Sequence, residues 1–392
     1  MSASQQPEID WLPRYAKLVV GLTFVLIFLG GLVTSWQAGM AVPDWPLSFG
    51  SINPDGWWAN FPVRLEHGHR MFAENVATLV AILCCWVWGK WRPLLIAFVT
   101  AIVSGVLAGF LAHAGGVSHL VVMHLTIWPC VGAYLFFLLR GEHDTTRPAA
   151  ARKLALAAFI VVCIQAILGG LRVTIETGGS PEVAMVFRIF HGCVAQAELC
   201  LLVALATVLS PAWKTFPGTD GSYGTDIAYK VTRGLRRLSW ALVIAVYLQL
   251  IFGATMRHLG AGLAIPTFPQ AAPSGSLMPA VHNAYVDLNL THTRFGALII
   301  TVLALLVAIS VIRSVPGEAR IAWALLALIA VQVTLGVLVI WYTKPRTLTT
   351  FHVVNGALVL ATSLLLALRL SRGATATESP ARVHGLVAQA TV

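Results

Sequence analysis

Residues Pro93 to Leu139 read PLLIAFVTAIVSGVLAGFLAHAGGVSHLVVMHLTIWPCVGAYLFFLL, 47 consecutive positions without an Asp, Glu, Lys or Arg. A bilayer core about 30 Å thick needs roughly 20 apolar residues per helix. The run is too long for one crossing and suits two, and Gly115-Gly116 stands where a tight turn divides it. It reads as a transmembrane hairpin. The whole 392-residue chain has the same character, with 57% hydrophobic and 11% charged residues and a mean hydropathy of +0.79. An ordinary soluble domain carries about 25% charged residues, so the composition points to a polytopic membrane protein and excludes disordered, collagenous and disulfide-scaffold classes. Cys84, Cys85, Cys130, Cys163, Cys193 and Cys200 all fall inside apolar segments with no C-x-x-C. That pattern argues against a disulfide frame and a zinc site.

Splitting the charge-free runs at Gly or Pro predicts ten spans, near 15–36, 69–90, 93–112, 119–140, 153–173, 187–209, 237–257, 292–312, 320–342 and 350–369. The first is too long for a signal-peptide core and is expected to stay in the mature protein. Lys and Arg concentrate in alternate loops, 18 of 26 on one side. By the positive-inside rule that side is cytoplasmic and holds both termini. The formal charge of +10 therefore marks cytoplasmic loops in contact with membrane lipid, not a nucleic-acid partner. The expected fold is an all-α polytopic membrane protein of about ten helices, N-in and C-in. Residues 213–236 read as a cytoplasmic linker and 371–392 as a disordered tail.

A two-helix unit recurs along the chain: a helix ending in small residues, a loop on the outer side, then a helix with His near its start. Gly30-Gly31 leads to His69, Gly105 and Gly109 to His124, Gly169-Gly170 to His191, Gly253-Ala254 to His292, and Gly336 to His352. Gln165, Gln249 and Gln332 each stand four residues before such a glycine. Small residues let helix backbones approach in lipid, which accounts for the glycines as packing residues. The histidines have no such explanation. All five fall at the outer ends of even-numbered spans, in one layer. A single intramembrane His is most often a hydrogen-bonded structural residue, but five in one layer suggest facing imidazoles, the way a helical bundle holds haem iron.

Arg70, Arg188, Arg257 and Arg294 stand near these histidines, suited either to pair with propionates or to snorkel at the interface. Glu66 precedes His69 by three residues, so both share a helix face; an acid in a first helical turn is also an ordinary dipole contact. Glu74 and Glu198 lie deeper, where a charge costs roughly 2.5 to 3.5 kcal/mol. Glu74 is placed to pair with Arg70; Glu198 has no assigned role.

The segment Gly31-Leu-Val-Thr-Ser-Trp-Gln-Ala-Gly-Met-Ala-Val-Pro43-Asp44-Trp45-Pro46, followed by Glu66-x-x-His69-Arg70, resembles the first hairpin of the haem A synthase family. Gln165-x-x-x-Gly169-Gly170-Leu-Arg-Val with His191-Gly-Cys-Val-Ala-Gln196, Gly253-Ala-Thr-Met-Arg257-His258, and His352-x-x-x-Gly356-Ala357 resemble it too. The resemblance implies two related four-helix halves, here 1–92 with 146–212, and 237–370. It implies oxidation of the C8 methyl of haem O to a formyl group, giving the haem A of terminal oxidases. Carried over, His69 and His191 serve the substrate haem, His292 and His352 ligate a haem b, and Glu66 is the functional acid. Arg70 and Arg294 then belong to the cofactor sites. Partners expected are the haem O synthase and terminal oxidase assembly, implied in the same way, with an electron donor and a second copy of the chain. The haem sites lie towards the outer face of the inner membrane.

Three departures stand out. Residues 93–145 have no counterpart in the family pattern, which makes ten spans of eight and offers His124 as an alternative partner of His69. Thr293 separates His292 from Arg294 where the family commonly has His directly before Arg, and one residue on a regular helix is a rotation of about 100°. The cysteine pair that some members carry is replaced here by Ala41, Val42 and Ser48. Two rival classes share some of these features. A multi-haem cytochrome passing electrons from quinol would also show paired histidines, and a transporter would show broken helices with charged midplane residues.

Overall fold

The computed structural model describes residues 10–115, 119–214 and 231–375, the side chains of 108–126, 214 and 373–375 excepted. Among the described residues ten long helices carry the fold: α1 (Leu12–Ser35), α2 (Phe61–Trp88), α3 (Arg92–Gly115), α4 (His119–Leu139), α5 (Ala149–Thr177), α6 (Pro181–Leu209), α7 (Arg233–His258), α8 (Ala284–Ser314), α9 (Ala319–Trp341) and α10 (Arg346–Thr375). Eight are long and apolar enough to cross a membrane; α3 and α4 contribute shorter described apolar stretches, Arg92–Leu107 and Ile127–Leu139. No strand forms among the described residues, and an isolated bridge pairs Ser48 with Ser51. The all-α polytopic expectation holds.

Helix ends follow local chemistry. The Asn60 side chain accepts from Val63 N at 3.3 Å and Pro62 lies in the first turn of α2, a favourable start because proline presets φ where no intrahelical donor is needed. Gly89 ends the same helix at φ +66°, and Lys90 N donates to Cys85 O, a left-handed cap that glycine adopts without steric cost. Thr232 accepts from Leu235 N at the start of α7, and Asn283 from Tyr285 N and Val286 N at the start of α8. On α2 the buried residues Val76, Val80, Leu83, Cys84 and Val87 form a helical stripe. Leu18, Val25, Leu248, Leu298 and Ile299 point outward, as a bilayer allows.

The chain divides into two compact units, Met1–His191 and Gly192–Val392, with α6 running from one into the other. In the first unit α2 packs between α1 and α5, while α3 and α4 pack chiefly on each other. The α3–α4 hairpin is fastened at the end away from His69 and His191. Tyr134 on α4 donates its hydroxyl to Ala81 O at 2.9 Å, accepts from Cys85 Sγ at 3.3 Å, and stacks on Phe159 of α5 with centroids 4.2 Å apart. Lys90 donates to Leu138 O and Arg140 O, both at 2.8 Å. In the second unit α7, α8, α9 and α10 pack in a closed ring of neighbours. Asn355 of α10 donates to Leu328 O and to Gln332 Oε1 of α9, and Arg369 pairs with Glu318 at 2.8 Å.

Candidate functional site

In the four hairpins whose histidine side chains are described, the small-residue helix meets the histidine of its partner at the glycine. A Cβ added to Gly30 would lie 3.1 Å from His69 Cε1, one on Gly169 3.3 Å from His191 Cε1, one on Gly253 2.7 Å from His292 Cε1, and one on Gly336 3.2 Å from His352 Cε1. The glycines therefore do more than bring backbones together: the imidazole occupies the space where any other side chain would begin. The glutamines one turn earlier do matching work. Gln165, Gln249 and Gln332 donate to the backbone carbonyls of His191, His292 and His352 at 3.1, 2.7 and 3.1 Å. A side-chain donor from the neighbouring helix thus fixes the height of each of these histidines in its hairpin.

In the second unit the His292 and His352 rings stand 6.4 Å apart, centroid to centroid, at 73°. In the first, His69 and His191 lie within electrostatic reach of each other and of Arg172. The Nδ1 atoms of His69, His191 and His292 are buried and have no hydrogen-bond partner among the described residues. A buried polar atom without a partner costs about 1–3 kcal/mol, and such an orphan calls for an explanation of the kind a bound group provides. His124 lies outside the described side chains. Among the described residues no group of three or more His, Cys, Asp or Glu gathers to hold a metal ion, so paired imidazoles are the candidate ligand sets.

Glu66 is the buried centre of a network, 1% exposed. Its Oε1 accepts from Arg70 at 2.7 Å and Arg172 at 3.1 Å, and its Oε2 accepts from Val42 N at 2.9 Å. Arg70 also donates to the carbonyls of Asp44, Val42 and Leu47 at 2.6, 2.9 and 3.2 Å, turning back to Glu66 and not on to Glu74. Arg172 donates to Gly39 O at 2.6 Å, an approach that only glycine permits, because a Cβ there would lie 2.5 Å from the guanidinium. Trp45 sits on Gly170, and Thr177 donates to Pro43 O at 3.0 Å. His67 shares a 2.8 Å hydrogen bond with Ser48 Oγ. The Pro-Asp-Trp-Pro loop is thus gripped from α2 and α5 together.

Arg294 does the same for the second unit. It donates to Thr267 O at 2.8 Å, Gln270 O at 2.9 Å and Pro269 O at 3.4 Å, with the Phe268 ring 5.6 Å away. Arg188 pairs with Glu176 at 3.3 Å. Arg257 lies in the last turn of α7, four residues after Gly253. Glu198 is buried on α6 with neither oxygen hydrogen-bonded among the described residues. Reasoning from the sequence missed Arg172 as a partner of Glu66; its signal was position, three residues after Gly169 in the Gln-x-x-x-Gly-Gly motif. It also missed Asn289, which stands three residues before His292 as Glu66 stands before His69.

Fold and site together define a polytopic helical membrane protein whose two units each set a pair of imidazoles against glycines beneath an arginine-held loop. The chain belongs to the COX15-CtaA family, cytochrome oxidase assembly protein, whose model matches residues 2–131 and 113–364. It is similar to the Heme A synthase of Brucella anthropi, 34% identical over 94 residues, and to those of Brucella ovis and Brucella suis, each 35% identical over 94 residues. Each match covers 22% of this chain and 26% of the relative, so the chain spans about a quarter of the length of these curated relatives.

Proposed function

We propose that this protein is a haem A synthase, oxidising the C8 methyl of haem O to a formyl group in the first unit, with a haem b in the second. The observation that carries this reading is the pairing of imidazoles in both units combined with an acid, Glu66, in the first alone. The second pair, with ring centroids 6.4 Å apart, would hold an iron-bearing ring between its two imidazoles. A haem bound there supplies one-electron redox chemistry. His292 and His352 would hold it; His69 and His191 would hold the substrate.

The remaining work falls to the chain's own groups. Gly30, Gly169, Gly253 and Gly336 leave the space that seats each imidazole, and the three glutamines set the heights of His191, His292 and His352. Glu66 sits between Arg70 and Arg172 and ties down the loop through Val42 N, so that its side chain stays oriented while charge develops at the methyl. Arg70 and Arg294 serve the cofactor sites through the loops they hold. The acid favours an enzyme over a cytochrome that only passes electrons, because an electron carrier needs two axial ligands and no carboxylate beside one of them. Supplying haem O to the wild type and to Glu66→Gln tests the reading. Formyl product from the wild type and its loss in the variant, with haem binding kept, is the expected result; equal product from both removes Glu66 from the reaction.

The other partners follow at the level of class: a haem O synthase upstream, a terminal oxidase assembly downstream, an electron donor and contact with a second copy. The inner membrane as location, with the histidines towards its outer face, belongs to the same proposal.

A further inference from the structure

The two units solve one problem with different residues. In the first, Glu66 and Arg70 flank His69 on an α-helix and meet directly at 2.7 Å. In the second, the position three before the histidine is Asn289, which carries no charge, and Thr293 is interposed between His292 and Arg294. On an unbroken α-helix that added residue would turn Arg294 by about 100° relative to His292, and the two could not both reach their partners. The helix accommodates it by opening into a π-turn over Thr291–Gly296, the usual way a helix absorbs one extra residue, frequently at functional sites. His292 accordingly stays against Gly253, and Arg294 stays on the loop carbonyls.

The interposed residue is also chemically occupied. Thr293 Oγ1 donates to Asn289 O at 2.8 Å, lies 3.2 Å from Asn289 Oδ1, and accepts from Arg294 at 2.7 Å. The bond to the carbonyl four residues back is commonplace for threonine in a helix; the bond from the guanidinium is not. Asn289 is wholly buried and donates to Ala261 O at 2.9 Å and Gly262 O at 3.1 Å. A continuous chain of polar contacts therefore runs from residues 261–262 through Asn289, Thr293 and Arg294 to residues 267–270. It holds the first half of the loop that follows α7 at two places, residues 261–262 and 267–270, as Glu66, Arg70 and Val42 hold the loop that follows α1.

We propose that Thr293 is a positioning residue of the second unit: its hydroxyl replaces the missing carboxylate by linking Asn289 to Arg294, and the π-turn around it keeps His292 facing His352. The proposal rests on the reading that His292 and His352 hold a haem.

The test uses the full-length purified protein and four variants: Thr293→Val, Thr293→Ser, deletion of Thr293, and that deletion combined with Asn289→Glu, which recreates the Glu-x-x-His-Arg pattern of the first unit. Two quantities are read: protease cutting within residues 264–283, and the haem b content with its midpoint potential. Losing the hydroxyl in Thr293→Val raises loop cutting about tenfold, the worth of one charge-assisted hydrogen bond, and shifts the potential, while Thr293→Ser restores both. Deletion alone fails on both counts, and the compensated deletion recovers them. Wild-type behaviour of Thr293→Val, or of the uncompensated deletion, overturns the proposal. Loop protection that follows the hydroxyl in a protein carrying no haem b overturns the haem reading and leaves the network standing, so the two failures are separable.

Discussion

Gly253 and His292 share one volume: a methyl group on the glycine would sit 2.7 Å from the imidazole Cε1, the tightest of the four glycine–histidine approaches. Overpacking of this kind costs about 1–3 kcal/mol. Gly253→Ala is therefore expected to cut the haem b content of the purified protein by roughly 5- to 150-fold in the binding constant, with Gly169→Ala, at 3.3 Å, milder in its own unit. Gly21→Ala is the control, since nothing lies within 4 Å of its added Cβ and alanine is favoured over glycine in a helix by about 1 kcal/mol. If Gly253→Ala binds haem like Gly21→Ala, the glycines are not there for the histidines.

Arg172 shares Glu66 with Arg70, and the acid is almost fully buried. Removing one partner from a buried ion pair costs on the order of 3–5 kcal/mol; with Arg70 still in place, Arg172→Gln is expected near the lower end. Thermal unfolding in detergent should fall, and protease sites between residues 36 and 60 should open. Arg172→Lys keeps the charge and loses the guanidinium Nη2 that donates to both Glu66 and Gly39 O, so it should fall between. Unchanged stability and loop protection in Arg172→Gln would show that Arg70 alone suffices.

Tyr134 fastens the α3–α4 hairpin by a hydroxyl and by a ring, and the two can be separated. Tyr134→Phe removes the bonds to Ala81 O and Cys85 and is expected to cost about 1 kcal/mol. Tyr134→Ala also removes the stack on Phe159, with a cost of about 3–5 kcal/mol. Disulfide trapping between cysteines placed at the facing ends of α2 and α4 would report undocking. Equal trapping in both variants and the wild type would mean that the ring and hydroxyl do not hold the hairpin.

Glu198 has no counter-charge or hydrogen bond among the described residues. A buried polar group without a partner costs about 1–3 kcal/mol, so an apolar residue of similar size there is expected to be neutral or stabilising by up to about that much. Glu198→Leu should unfold at the same or a higher temperature and keep its haem. A lower unfolding temperature, or loss of turnover with haem retained, would give Glu198 a part in the reaction.

Much of the fold was legible because lipid imposes a coarse rule on sequence: apolar runs of a fixed length, broken by charge. The rule fails at helix ends. The span expected at 153–173 is helical over Ala149–Thr177, because Arg152 stays in the helix by donating to Asp144 O and Arg147 O, and Arg172 stays by reaching Glu66. Charge there marks the membrane boundary and not the end of the helix. The glycine–histidine pairs were visible as a repeat, yet their meaning, exclusion of a Cβ by an imidazole, needs two helices in contact. Thr293 looked like a break in the motif. Its π-turn depends on the partners that Arg294 and His292 find elsewhere in the unit, which a periodicity of 3.6 cannot express.

Action on haem O is what the proposed function requires of this chain. The most direct measurement is to produce the protein in a host that makes haem O, purify it in detergent, and identify the extracted haems by chromatography and mass. Haem A or its hydroxymethyl precursor alongside haem b is the result the account predicts. Haem b alone, with a stable bis-histidine spectrum and no turnover of haem O, would contradict it and leave an electron-transfer cytochrome.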